Sequence, residues 1–356
     1  MLHTALTRAT NFASLGLGLT GAGTWLRPRR DIRAVFYHGL GDRNSPCMRY
    51  LDDELPEAVF ARQIDYLMAH YRVVSLSDAV ASIDDDASAK PVCCISFDDG
   101  LASVYHRAFP ILKAHGLPFC VFVNTASVDN HALLWLHSLS YLIDKYGLEA
   151  VNRHIARCCR EAGAALTPTA TGTRELFLWC HDHFDFLYRH GIVAAVLASF
   201  NEDMGTVAGQ QNLYLTWSQL REMQANGAEV FSHTHGHCPL DRLVDIETID
   251  DEIGRAGSVL AEAGFADAAF VSFPFGMVSD YGRRAVRSAL GAGHRYVVEV
   301  GDGLNDPDRV RGTNMIARVE LGSTGTEAHA LHAAIELKPL VKTRLKHWMK
   351  KADPKE

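Results

Sequence analysis

The sequence predicts an α/β fold: parallel strands covered by helices, in a full or partial (β/α) barrel that a helical insertion interrupts. Three observations carry that expectation. Short strand-like runs alternate with helical patterns on both sides of the chain's middle. The runs are apolar, as parallel strands buried between helices must be. Residues 126–213 break the alternation with helix-like segments and no clear strand, a stretch too long for a loop.

Taken in order, RAVFYHGL (33–40) is a strand running into a glycine turn. PEAVFARQIDYLMAHY (56–71) is a helix, with Pro56 suited to its first turn and Phe60, Ile64 and Leu67 at helical spacing. VVSL (73–76) and PVCCISF (91–97) are strands, VYHRAFPILKAHG (104–116) is a helix closing on glycine, and FCVFVNT (119–125) is another strand. Past the insertion, TWSQLREMQANG (216–227) is a helix capped by Thr216 and ended by Asn226-Gly227. Strand AEVFSH, helix ETIDDEIGRAGSVLAEAG (247–264), strand AAFVSF, a helix over 280–290 and strand HRYVVEV (294–300) complete the alternation.

Within the insertion, LLWLHSLSYLIDKYG (133–147) reads as helix and TPTATGT (167–173) as a flexible linker. Its CHDHF (180–184) invites a metal reading that fails on geometry. Two residues apart on a helix, His181 and His183 point about 200° away from each other. The chain thus divides into an N-terminal apolar and basic segment (1–32), two parts of one barrel (33–125 and 214–324), the insertion (126–213) and a C-terminal basic helix (325–356).

Composition narrows the class. A chain of 356 residues has room for one large α/β domain with an insertion. Its 47% apolar and 22% charged residues exclude a disordered chain, and a net charge of −7 argues against a nucleic-acid partner. Cys93, Cys94 and Cys120 sit in the apolar runs, and free core thiols are commonest in reducing compartments, so the expected location is the cytoplasm.

The termini qualify that location. NFASLGLGLTGAGTWL (11–26) is too short and too broken by glycine to span a bilayer comfortably. Its basic cluster follows the apolar run instead of preceding it, unlike a signal peptide. A helix lying on the barrel or on a membrane surface is the expectation. LKPLVKTRLKHWMKK (337–351) is basic and amphipathic: either a solvated helix or a peripheral contact with anionic lipid.

In α/β barrels the working residues follow the strand ends. Four such ends carry chemistry: YHG (37–39), SFDDG (96–100), SHTHGH (232–237) and SFPFG (272–276). SFDDG alone is either a common acidic turn or a functional carboxylate pair. SHTHGH alone is either a polar loop or a ligand pair. In the second case Gly236 lets the chain curl so that His237 returns toward His233, while His235 points away. Together the motifs supply two imidazoles and a carboxylate, a three-ligand set with open positions such as catalytic zinc sites use.

SFDDG, followed far downstream by H-T-x-x-H and then by F-P-F-G, resembles the polysaccharide deacetylase family, the NodB-homology carbohydrate esterases of family 4. The resemblance covers roughly residues 33–125 and 214–321. It implies a distorted (β/α) barrel and a divalent metal, zinc by default, with cobalt or nickel suiting the same ligands. Carried over by motif, Asp98 is implied as the catalytic base, and Asp99, His233 and His237 as the metal ligands. Phe275 follows the third-motif proline and is implied as the backbone N–H that holds the oxyanion. Pro274 and Tyr37 are implied at the substrate.

The chain departs from the commoner family pattern in two places. Many members carry an arginine shortly before the third-motif proline, where this chain has Val271-Ser272-Phe273, and a late Leu-x-His that ARVEL (317–321) lacks. It is similar instead to the branch acting on exopolysaccharide N-acetylglucosamine, whose acid histidine comes from the first strand. YHGL puts His38 there; the alternative is a buried histidine satisfied by a backbone carbonyl. Arg318 is the candidate replacement for the missing arginine.

The function so implied is metal-dependent removal of an N-acetyl group from an amino sugar, in a glycan or in a lipid- or nucleotide-linked precursor. The rivals are deformylation or deacetylation of another small N-acyl sugar, and a homologue that binds glycan without turnover. Binding alone needs no base, so Asp98 beside an intact ligand set argues against the last. The insertion is expected either to form a wall or lid over the metal or to be a packed decoration.

Overall fold

The computed structural model describes residues 30–41, 45–51, 54–84, 90–276, 278–301, 303–322 and 324–343. The N-terminal apolar stretch (11–26) and the chain beyond 343 lie outside them.

Seven parallel strands close a barrel: β1 (Arg33–Tyr37), β5 (Val92–Phe97), β6 (Phe119–Val123), β7 (Ala228–Ser232), β8 (Phe270–Ser272), β9 (Tyr296–Val300) and β10 (Met315–Glu320). The seam closes where β1 pairs with β10 on one edge and along its length with β5 on the other. A short β4 (Arg72–Val73) meets the start of β5. A separate parallel ladder joins β2 (Gly39–Leu40) to β3 (Glu54–Leu55). Strand alternation sorts the side chains. Ala34, Cys94, Cys120, Phe122, Phe231, Phe270, Val298 and Ile316 fill the barrel interior. Val35, Tyr37, Ile95, Phe97, Val121 and Val123 face the surrounding helices.

Between β6 and β7 the described chain is helical, with helices Trp135–Tyr146, Leu148–Glu161, Thr173–Asp182, Phe184–Arg189, Ile192–Ser199 and Met204–Gln211. They bury Leu139, Leu142, Val151, Ile155 and Val196 in a core shared with Val271, Phe273 and Ile253 of the barrel part. The chain re-enters the barrel through Tyr214, which forms an antiparallel bridge with Leu101. The helix that follows opens on the expected Thr216, in a capping box with Gln219.

Two local expectations change. Residues 74–76 are not strand: the Ser75 hydroxyl accepts from the Asp78 amide and starts helix Leu76–Ala81. The C-terminal helix is not merely solvated over its described part. Leu331 and Ile335 join the core outside the barrel, Leu337 and Leu340 are buried, and Glu336 pairs with buried Arg33 at 2.9 Å. All eight cysteines are free and buried. Among the described residues no helix is long and apolar enough to cross a membrane.

Candidate active site

The four strand ends singled out in the sequence meet at one end of the barrel. Each strand stops one to three residues before its chemistry: β1 before His38, β5 before Asp98 and Asp99, β7 before His233, and β8 before Phe275. Asp99 Oδ1 lies 3.4 Å from His233 Nε2 and 3.2 Å from His237 Nε2. All three residues are buried, and their ligand atoms lie within 4.8 Å of one another. His233 Nδ1 sits 2.9 Å from the Ser272 carbonyl, which can only accept, so that nitrogen carries the proton and Nε2 presents a lone pair. Lone pairs of imidazole and carboxylate thus converge on one point.

The buried Asp99 carboxylate faces both imidazoles. Its Oδ1 has no hydrogen-bond partner among the described residues. Convergent lone pairs with an orphaned carboxylate oxygen suit a cation. Two ligands on a tetrahedral zinc with bonds near 2.0–2.1 Å are about 3.3 Å apart, close to the separations found here. The residues fit a divalent metal.

Asp98 turns away from this point, into the barrel. Both its oxygens are held by Arg318, with Nη1 to Oδ1 at 2.8 Å and Nη2 to Oδ2 at 2.7 Å. Arg318 is itself 1% exposed. Its guanidinium also donates to the Ser96 and Ser272 hydroxyls at 3.0 and 2.7 Å, and lies over the rings of Phe36 and Phe122. Burial pushes the Asp98 carboxyl up, yet Arg318, His233 and His38 outweigh it and hold the pKa below the ordinary value. The pair therefore stabilises the fold fully above the unfolded carboxylate's pKa of about 4, and loses that contribution as pH falls through the lower folded value. Lysine in place of Arg318 keeps the charge but cannot form the fork. Arg318→Lys is expected to lower the melting temperature and turnover while metal content holds. Thermal melts, kcat and metal analysis on one preparation check this.

The backbone around the site is strained. Asp99, Thr234, His237 and Phe275 all have left-handed φ, at 67°, 66°, 58° and 63°. Each such non-glycine residue costs on the order of 1–3 kcal/mol, and such residues cluster at active sites. Gly276 continues the turn after Phe275, and a Cβ there would collide with Val300. Asp99, His233 and His237 lie at a cleft of about 350 Å³. Asp98, Asp99, His233 and His237 line it, with His38 and Phe36 from the first strand's end and Phe275 from the third motif. The helices between β6 and β7 supply Leu136 and Phe177.

The profile of the polysaccharide deacetylase family matches residues 85–297, well over half of the chain. The chain belongs to the polysaccharide deacetylase family. Solved deacetylases share its fold. The Streptococcus pyogenes deacetylase PplD superposes with a TM-score of 0.54 at 14% identity, covering 86% of this chain and 98% of its own. IcaB from Ammonifex degensii gives 0.53 at 16%, covering 85% and 97%. A de-N-acetylase from Aggregatibacter actinomycetemcomitans gives 0.52 at 17%, covering 83% and 97%. At such identities the likeness speaks for the barrel alone. No curated protein matches the chain significantly.

Two of the expected site residues of this polysaccharide deacetylase do not line the cleft. Tyr37 is 1% exposed and packs on Phe60 and Phe97 outside the barrel. Strand alternation forces this: with Phe36 and His38 turned inward, Tyr37 must turn outward. Pro274 is buried and does not line the cleft, whereas Phe273, Phe275 and Gly276 do. His235 is held by the Thr125 hydroxyl at 2.8 Å, away from the ligands. His181 packs against Phe275 and His183 stacks on Trp179, so they do not converge.

Several residues at the site were not anticipated. Ser96 and Ser272 had a visible signal, since they open the SFDDG and SFPFG runs, and Ser96, two residues before Asp98, shares its face of the strand. Asn124, whose side chain donates to the His233 carbonyl, had none. His137 and Tyr214, in contact at 2.6 Å beneath the site, also had none. Burial pushes the His137 imidazole down to about 4, so it is neutral near pH 7.

Proposed function

We propose that this protein is a metal-dependent hydrolase that removes the N-acetyl group from an amino sugar in a glycan. The observation that carries the reading is the convergence of Asp99, His233 and His237 on one point in the cleft floor, beside a separately paired Asp98. No feature among the described residues favours a lipid- or nucleotide-linked precursor over a glycan.

An acetamide carbonyl is a poor electrophile, so water must be activated and the developing negative charge held. Asp99, His233 and His237 are the ligands. When bound, a divalent metal supplies Lewis acidity toward water and carbonyl. Asp98 is the base. Its lowered pKa keeps it ionised and able to accept a proton near pH 7, and Arg318 fixes the orientation of its two oxygens. The Phe275 amide, at a left-handed turn on the cleft wall, is the oxyanion donor. His38, partly exposed on the opposite wall, protonates the leaving amine.

The test is acetate release from N-acetylglucosamine oligomers, with formate measured separately. Acetate release that stops on chelation and returns with Zn²⁺ or Co²⁺ is expected. Formate without acetate from N-formyl analogues would replace the acyl assignment, and chelator-insensitive turnover would overturn the metal assignment.

A further inference from the structure

The helices between β6 and β7 do more than wall the cleft. The buried Trp135 indole, at the start of the first of them, donates from Nε1 to the His237 carbonyl at 3.1 Å. We infer that Trp135 is a positioning residue for the metal ligand His237, so that the helical insertion is part of the metal site's scaffold. This rests on the reading of Asp99, His233 and His237 as ligands.

The two histidine ligands are held differently. His233 has its ring anchored through Nδ1 to the Ser272 carbonyl, and its own carbonyl is held by Asn124. The His237 Nδ1 is buried with no hydrogen-bond partner among the described residues. A ligating imidazole without that outer contact depends on other constraints for its orientation. For His237 these are the Phe275 ring, 5.3 Å away between centroids, and the grip of Trp135 on its left-handed backbone. Trp135 is in turn packed on Phe184 and Phe275. The preceding amide, Leu134 N–H, donates to the Tyr214 hydroxyl at 2.9 Å.

The insertion reaches the ligand loops at two further points. Tyr188 donates to Glu252 Oε1 at 3.2 Å, while Glu252 Oε2 accepts from the Gly236 amide at 2.7 Å, one residue before His237. At the insertion's exit, Leu215 N–H donates to the Gly100 carbonyl and Ala102 N–H to the Leu213 carbonyl, each at 2.8 Å, just past Asp99. One end of the insertion thus braces the His237 loop and the other the Asp99 loop.

Trp135→Phe keeps an aromatic ring while removing the indole N–H together with the volume of its second ring. Stripped protein, titrated with Zn²⁺ against a chromophoric chelator, is expected to bind about 10–100-fold more weakly than wild type. The Co²⁺-loaded variant should show an altered d–d spectrum. Phe200→Leu is the comparison: Phe200 stacks on Tyr146 and His154 inside the insertion, so this change loosens the insertion without touching a ligand loop. Its metal affinity should stay within about threefold of wild type, whatever its melting temperature. Wild-type affinity and spectrum in folded Trp135→Phe would overturn the inference, as would an equal loss in Phe200→Leu. Should Trp135→Phe not fold, Tyr188→Phe carries the test, with weaker Zn²⁺ binding expected and unchanged binding overturning the inference. Failure of wild type to bind Zn²⁺ or Co²⁺ would instead sink the ligand assignment itself.

Discussion

Asp98→Asn should retain bound metal and lose turnover by roughly 10²–10⁴-fold, the usual loss for a missing general base. Asp99→Ala should lose both. The two carboxylates are adjacent in sequence but occupy different environments. Asp99 faces two imidazole nitrogens through an oxygen that no hydrogen-bond donor fills. Asp98 has both oxygens on Arg318. Asparagine preserves the shape and one acceptor, so it leaves the ligand triad alone while removing the proton acceptor. It also leaves Arg318 buried with its charge uncompensated, so a lower melting temperature is expected alongside the catalytic loss. Metal content and kcat measured on the same folded preparation separate the roles. Metal lost as fully from Asp98→Asn as from Asp99→Ala would show the roles to be wrongly divided.

His38→Ala should nearly abolish amide cleavage, again by roughly 10²–10⁴-fold, while sparing much of the activity on an aryl acetate. The difference lies in the leaving group. An amide nitrogen must be protonated before it departs, whereas a phenolate leaves unaided. His38 lines the cleft beside Asp98 and Asp99, its ring edge-on to Phe36 at 5.5 Å, and it is partly exposed where the ligand histidines are buried. Metal content should be unchanged. Equal losses on amide and aryl ester would mark His38 as structural and send the search for the acid elsewhere in the cleft.

Much of this was legible because strand ends in a parallel barrel are local features. Asp98, Asp99 and His233 follow directly from where apolar runs stop, and Gly236 signals the curl that returns His237. The register of an apolar strand is also readable, and applying it strictly would have turned Tyr37 outward as soon as His38 was placed inward. Arg318 was reached only through a departure from the family's motif. Its fork to Asp98 spans 220 residues, and nothing local to ARVEL says that the side chain crosses the barrel. Trp135 and Glu252 act on the His237 loop through tertiary contacts of the same kind, so no spacing rule could point to them. The boundary at Ser75 was missed because a serine after two valines reads equally as a strand's end or a helix's cap, and here the cap prevails.

The seam between β1 and β10 also bears on the order in which the protein can assemble. Asp99, His233 and His237 are all present once the chain has been made a few residues past β7, and pairing of β5, β6 and β7 can bring them together. The counter-charge for Asp98 is not, because Arg318 lies on the last barrel strand and reaches Asp98 only when distant ends of the chain have met. Such long-range closure carries the loop entropy of most of the chain and belongs late in folding. The Asp99–His233–His237 cluster and its supports, Ser272 and Glu252, therefore lie in the chain before β9, whereas the partner that orients Asp98 comes only with the last strand.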